Sequence, residues 1–172
     1  MITIGIDVGI SGGLAMAEWR GDGRMPVRVT AAPMPVWAAG RRGKRVVDCA
    51  ALVAWLAPAA VRGGVMLAAY EAVHAMPKQG TVSMFGFGRS LGVVEMALAA
   101  LGLPHIGVAP ERWKKDMAAP RDKAAARRMA ALLLPGFAHQ WVRAKDDGVA
   151  EAALLALWAA WHGMGGKHGG NG

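Results

Sequence analysis

Residues 2–13, ITIGIDVGISGG, alternate as a strand does: Ile2, Ile4 and Ile6 project to one side, Thr3, Gly5 and Asp7 to the other. Gly9, Gly12 and Gly13 then punctuate a turn, and GLAMAEW at 13–19 reads as a second strand folding back as a hairpin. Asp7 is thereby set between Ile6 and Val8 on a stretch with a buried character. A charge in such a place must be paired, hydrogen-bonded or bound to a cation. A carboxylate bonded to the following glycine turn is the plainer alternative, and this stretch alone leaves both open.

Outward from the hairpin, MPVRVTAAPM at 25–34 reads as a third strand frayed by prolines, and RRGKR at 41–45 as a short basic loop. Segment 46–61 has helical spacing, with Val47, Leu52, Trp55 and Leu56 apolar and Asp48 as N-cap. VMLAAYEAV at 65–73 is a buried-type strand carrying Glu71. MPKQGTVSMFGFGRS at 76–90 reads as a loop leading into the helix LGVVEMALAAL, which Gly102 and Pro104 stop before a fifth strand, HIGVA. PERWKKDM gives a turn or two of helix, RDKAAARRMAALL a helix ended by Pro135-Gly136, and a last helix runs from about Asp147 to Trp161. This order predicts an α/β fold: a mixed five-stranded sheet flanked by helices on both faces. One domain is expected over 1–162, followed by a flexible glycine-rich tail at 163–172.

The chain has 172 residues, of which 54% are hydrophobic and 19% charged, a globular composition. Its net charge of +8 points to a polyanionic partner, nucleic acid before anionic membrane. A single cysteine, Cys49, excludes an internal disulfide and a cysteine-rich zinc site, and it reads as buried filler. The histidines lack zinc-site spacing. With no basic leader before the first strand and no apolar run of membrane-spanning length, the cytoplasm is the expected compartment.

Only twelve residues are acidic, so their positions carry information. Asp7 lies within an apolar strand, and Glu71 closes another; taken alone, Glu71 is the polar end of a strand. Asp146 and Asp147 suit the positive end of the last helix. Glu151 does not: it lies a full turn inside an almost wholly apolar helix, four residues beyond Asp147 and so on the same face. If these acids converge, their repulsion calls for divalent cations, and an all-oxygen donor set suits Mg²⁺, with Mn²⁺ as substitute.

At these residues the chain resembles the RuvC-like Holliday junction resolvases of the RNase H-like superfamily. ITIGIDVGISGGLA is similar to their first strand and hairpin, VMLAAYEAVHAMPKQG to their second catalytic segment, and KDDGVAEAALLALW to their final helix. SMFGFGRSLGVVEMAL and VAPERWKKDM…RDKAAARRMAALL resemble the phage and prophage branch, so the likeness spans residues 2 to about 160. It implies a structure-specific endonuclease that makes paired symmetric nicks in branched DNA, as a homodimer, by a two-metal-ion mechanism. The catalytic acids would be Asp7, Glu71, Asp147 and Glu151, with Asp146 a further metal ligand. Two departures stand out: the last two acids are four apart where three is usual, leaving Asp146 or Asp147 as the third ligand, and the final acid is Glu rather than Asp.

The same resemblance places Lys114 and Lys123 near the scissile phosphate or along DNA, with Lys115 adjacent. Lysines so placed neutralise phosphates and make binding salt-sensitive; the bland alternative is a solvated helix face carrying Arg121, Lys123, Arg127 and Arg128. Arg41, Arg42, Lys44 and Arg45 are a second candidate DNA contact, on a flexible loop. Lys78, Phe85 and Arg89 are a third, in a region that approaches the junction centre in the resembled family, unless Phe85 and Phe87 pack beneath the next helix. The helix faces at 90–101 are the candidate dimer interface. Rival readings are a nuclease of the same fold acting on flaps, forks or RNA–DNA hybrids, a non-catalytic DNA-binding module, and an actin-like sugar kinase, for which 172 residues are too few.

Overall fold

The structure, a computed structural model, describes residues 1–21, 25–39, 44–72 and 80–165. Its main sheet has five strands in the order β3-β2-β1-β6-β7: β1 (Ile2–Asp7), β2 (Gly13–Glu18), β3 (Arg28–Pro33), β6 (Val65–Glu71) and β7 (His105–Val108). The first three pair antiparallel, while β6 joins β1 and β7 joins β6 in parallel. This is the expected architecture, with β1 in the middle and a helical layer on each face.

The alternation in β1 decides which layer meets which side chain. Ile2, Ile4 and Ile6 face a core shared with α1 (Cys49–Arg62) and α2 (Thr81–Ala100), where Leu52, Leu56, Val94 and Leu98 are buried. Thr3, Gly5 and Asp7 face α5 (Asp147–Gly165). That helix is apolar all round because it lies between the sheet and an outer layer that includes α4 (Lys123–Leu133); Val149 through Ala160 are buried. Thr3 is satisfied there by donating its hydroxyl to the Ala156 carbonyl at 2.8 Å and accepting from the Trp19 indole at 2.9 Å.

Gly5 sets how closely α5 approaches. A Cβ at that position would collide with the Ala152 carbonyl oxygen and the Ala156 nitrogen and lie 2.8 Å from the Leu155 Cβ. Near the helix start, Gly148 forms a parallel bridge with Gly12, and a Cβ on Gly148 would sit 2.5 Å from the Gly12 Cα. The glycine turn after β1 and the first turn of α5 are thus in backbone contact.

Several local expectations change. Asp48 does cap α1, accepting from the Ala51 N–H at 3.0 Å, but Val46 and Val47 belong to a strand rather than to the helix. β4 (Val36–Ala39) and β5 (Lys44–Val47) form a separate two-stranded sheet where a basic loop was expected. Periodicity missed it because Pro33 and Pro35 break the pattern before a strand of four residues. Residues 81–90, expected as loop, are the first half of α2 despite Gly86 and Gly88. Phe87 and Leu91 packing on the buried core offset the propensity cost of those glycines, roughly 1 kcal/mol each. Cys49 is exposed, not buried, because it opens α1 on the solvent side. A 3-10 helix occupies Pro135–Trp141, just where Pro135 ends α4, and α5 runs on to Gly165, three residues into the expected tail. Residues 166–172 lie outside the described residues, as do Arg41, Arg42 and Lys78 and the side chain of Lys44. No helix among the described residues is long and apolar enough to cross a membrane.

Candidate metal centre

Parallel pairing of β1 with β6 brings their carboxyl ends side by side, with Ile6 opposite Tyr70, so Asp7 and Glu71 leave the sheet at the same end. Close packing of α5 across β1 adds Glu151 from the second turn of that helix. Carboxylate oxygens of Asp7, Glu71 and Glu151 lie within 4.8 Å of one another. Glu71 and Glu151 are buried, at 9% and 4% exposure, and Asp7 is partly exposed.

Three acids this close repel each other in a region of low polarizability. Asp7 is pushed up to about 7, chiefly by burial of its carboxyl among protein atoms and then by Glu71 and Glu151. A long hydrogen bond of 3.4 Å from the Gly9 N–H and the charge of Lys123 pull the other way, without restoring the ordinary value. Glu71 is also raised, by burial first and Glu151 second, against opposition from Lys114. The buried Trp113 indole N–H has no hydrogen-bond partner of good geometry among the described residues, yet its nearness to Glu71 offsets part of that rise.

The cations at the site come from two short segments. Lys114, on α3 (Pro110–Asp116), donates to Glu151 Oε1 at 2.6 Å and lies 5.2 Å from the centre of the Trp113 ring. Lys123 opens α4 beside the Asp122 cap, exposed but near enough to bias Asp7. Lys115 is exposed on the turn next to Lys114.

The structure does not bring Asp146 and Asp147 into the three-acid group. Asp147 is ion-paired with Arg127 of α4. Asp146 is buried and accepts from Arg143 three times, from Nε, Nη2 and the backbone N–H, each at 3.0 Å; these bonds hold its pKa below the usual value. Helical spacing does put Asp147 one turn before Glu151, but its carboxylate is turned to the neighbouring helix. The sequence left Arg127 between a DNA-facing and a solvated helix face, neither of which foresaw its pairing with Asp147, and did not single out Trp113, although its place beside Lys114 was a signal. Of the aromatic candidates on α2, Phe85 is 71% exposed with Arg89 exposed nearby, while Phe87 is partly buried against the core.

Three hard carboxylates, joined by no sulfur or imidazole donor among the described residues, form a fit for a small divalent cation of the Mg²⁺ or Mn²⁺ type. Such an ion would relieve the repulsion that raises Asp7. No family model and no curated protein matches the chain. Among solved structures, RuvC of Thermus thermophilus superposes with a TM-score of 0.61 at 20% identity, covering 96% of this chain and 97% of that one. T. thermophilus RuvC in complex with Holliday junction substrate superposes with the same score and coverage at 18% identity. These likenesses show the fold, which is RNase H-like.

Proposed function

We propose that the protein is a metal-dependent endonuclease that resolves four-way junctions and related branched DNA by phosphodiester hydrolysis. The observation that carries this reading is the meeting of Asp7, Glu71 and Glu151 at one end of a sheet that matches RuvC over nearly its whole length. The net charge of +8, the exposed Lys123 near Asp7 and the exposed Lys115 next to Lys114 in the chain fit a phosphate backbone. Assignment to the phage and prophage branch rests on the sequence resemblance alone.

Asp7, Glu71 and Glu151 are the residues that would hold Mg²⁺. Asp147 joins as a further ligand once Arg127 releases it, and Asp146 is the less suited of the pair because Arg143 occupies both its oxygens. When bound, a pair of such ions would supply an activated water and stabilise the leaving oxygen. The chain's own contribution is positioning. Lys114 fixes the Glu151 carboxylate and neutralises part of the site's charge, while Lys115 and Lys123 draw the phosphate toward the acids. Phe85 and Arg89 at the start of α2, with Lys78, Arg41, Arg42 and Lys44, are proposed to hold the arms of the junction.

Two symmetric cuts need two sites related by a twofold axis, so a homodimer is the natural form. Met96, 66% exposed on α2, supports the 90–101 face as the interface. The test is cleavage of a synthetic four-way junction, a linear duplex and an RNA–DNA hybrid, with Mg²⁺, Mn²⁺ or EDTA. Junction-selective, metal-dependent cutting is expected. Equal cutting of all three substrates would leave a nuclease of another substrate choice, and no cutting by any would sink the reading.

A further inference from the structure

We infer that Trp113 is a positioning residue of the metal centre: its buried indole N–H donates to Glu71 when a cation binds there, fixing one carboxylate oxygen so that the other faces the ion. This deepens the metal-binding part of the reading above and rests on it. Trp113 is wholly buried, and its Nε1–H has no hydrogen-bond partner of good geometry among the described residues. An indole only donates, so a buried N–H left without an acceptor costs free energy and calls for an explanation. Two other buried indoles are satisfied: Trp19 donates to Thr3 Oγ1 and Trp158 to Asp116 Oδ2, each at 2.9 Å. Trp141 is a second orphan, on the 3-10 helix packed against β3 and α4. That is the opposite edge of the sheet from β7.

Backbone geometry puts Trp113 at Glu71. In the parallel pairing of β6 with β7, Glu71 stands opposite Val108, and the Ala72 N–H donates to the Val108 carbonyl at 2.9 Å. α3 begins just beyond, at Pro110, and the Trp113 backbone N–H returns to the Ala109 carbonyl at 3.3 Å. The indole therefore stands one helical turn past the strand end beside Glu71, and there it opposes the upward shift of that carboxyl. Two side chains fasten α3 to α5 and hold the indole in place: Lys114 donates to Glu151 Oε1 at 2.6 Å, and Asp116 accepts from Trp158. Lys114 Nζ also lies 5.2 Å from the Trp113 ring centre. One indole thus bears on two of the three acids, on Glu71 through its N–H and on Glu151 through the lysine over its ring. A ligating carboxylate is anionic, and hydrogen bonds to anionic oxygens are shorter and stronger than neutral ones, so the contact that is open without metal closes with it. Partners of this kind orient metal-binding carboxylates, and losing one typically costs roughly 10- to 100-fold in metal affinity.

The test uses the full chain without DNA. Proton–nitrogen correlation spectra of the isotope-labelled protein follow the seven indole N–H resonances through a Mg²⁺ titration, and calorimetry gives the Mn²⁺ affinity. The Trp113 resonance is expected to move downfield in step with Mg²⁺ occupancy while that of Trp141 stays in place. Trp113→Phe, which keeps an aromatic face for Lys114 and lacks the N–H, is expected to weaken Mn²⁺ binding by roughly 10- to 100-fold. Trp141→Phe, which removes the same atoms from a similarly buried indole, is expected to bind Mn²⁺ like the parent. A Trp113 resonance unmoved at saturating Mg²⁺ overturns the inference, and that measurement on the parent decides even where Trp113→Phe fails to fold. So does unchanged Mn²⁺ affinity in Trp113→Phe, or an equal loss in Trp141→Phe, which would mark the effect as one of packing. A parent that binds neither ion overturns the metal centre and the inference together. One that binds Mg²⁺ with the Trp113 shift yet never cuts a four-way junction would sink the nuclease reading and leave the role of Trp113 standing.

Discussion

Asp7→Asn is expected to stabilise the metal-free protein at pH 8 and to leave it nearly unchanged at pH 4, while abolishing cleavage. The Asp7 carboxyl titrates at about 7 in the fold against 3.8 for an unperturbed aspartate, because burial and the charges of Glu71 and Glu151 disfavour its ionised form. A group raised in the folded state contributes fully below its unfolded value, and that contribution is lost as pH rises through the folded one. The window is therefore pH 4 to 7. At about 1.4 kcal/mol per unit, a rise of roughly three units puts the loss in the parent at up to about 4 kcal/mol. Asparagine keeps the amide oxygen that accepts from Gly9 but never carries the charge. For a chain of this size, 4 kcal/mol corresponds to roughly 10 °C in melting temperature. The assay is thermal or urea unfolding of both proteins in EDTA at pH 4, 6 and 8, repeated with millimolar Mg²⁺. The gap between variant and parent should open with pH and narrow again when Mg²⁺ binds the parent. A gap independent of pH, or one in which the parent gains on the variant as pH rises, would refute the electrostatic account of the site.

Glu151→Gln should reduce junction cleavage by at least about a thousandfold, whereas Asp146→Asn should cost chiefly stability, through its bonds to Arg143; single-turnover cleavage beside melting curves separates the two. Gly5→Ala forces α5 off β1, costing about 1–3 kcal/mol or more and drawing Glu151 from Asp7, so Mn²⁺ affinity should fall along with the melting temperature. The Gln140 amide donates to the Val29 carbonyl at 2.8 Å and accepts from the Ala31 N–H at 2.7 Å, acting as a short extra strand along the outer edge of β3. Gln140→Leu leaves both groups unpaired and should cost about 1–3 kcal/mol, with concentration-dependent aggregation on heating seen by light scattering. Ala118 sits at φ 52° just after α3, where its N–H and that of Ala119 return to the Lys115 and Lys114 carbonyls, so Ala118→Gly should raise stability by about 0.5–1 kcal/mol in urea titration.

Much of the site was legible in the chain because burial leaves a mark on local pattern. Asp7 in an isoleucine strand, Glu71 at the end of an alanine-rich strand and Glu151 inside an apolar helix each sit where a charge is costly, and these three are the residues that meet. The five main strands follow from alternation, a buried apolar run and glycine or proline punctuation, the mixed sheet from the order of elements, and the Asp48 cap from capping chemistry.

What the chain alone left open was the fate of Asp146 and Asp147. Spacing along a helix says which side chains share a face, not which cation lies across from them. Arg127, twenty residues from Asp147 in sequence, and Arg143, three residues before Asp146, decide it. The start of α2 at Thr81 and the β4–β5 hairpin belong to the same class. Glycines and prolines argue locally against both, and packing of Phe87, Val36 and Val47 on the buried core outweighs that local cost. Sequence by itself thus determined which residues must be buried and charged; tertiary structure decided which of the charges face each other, because ion pairing and packing act through space while pattern acts along the chain.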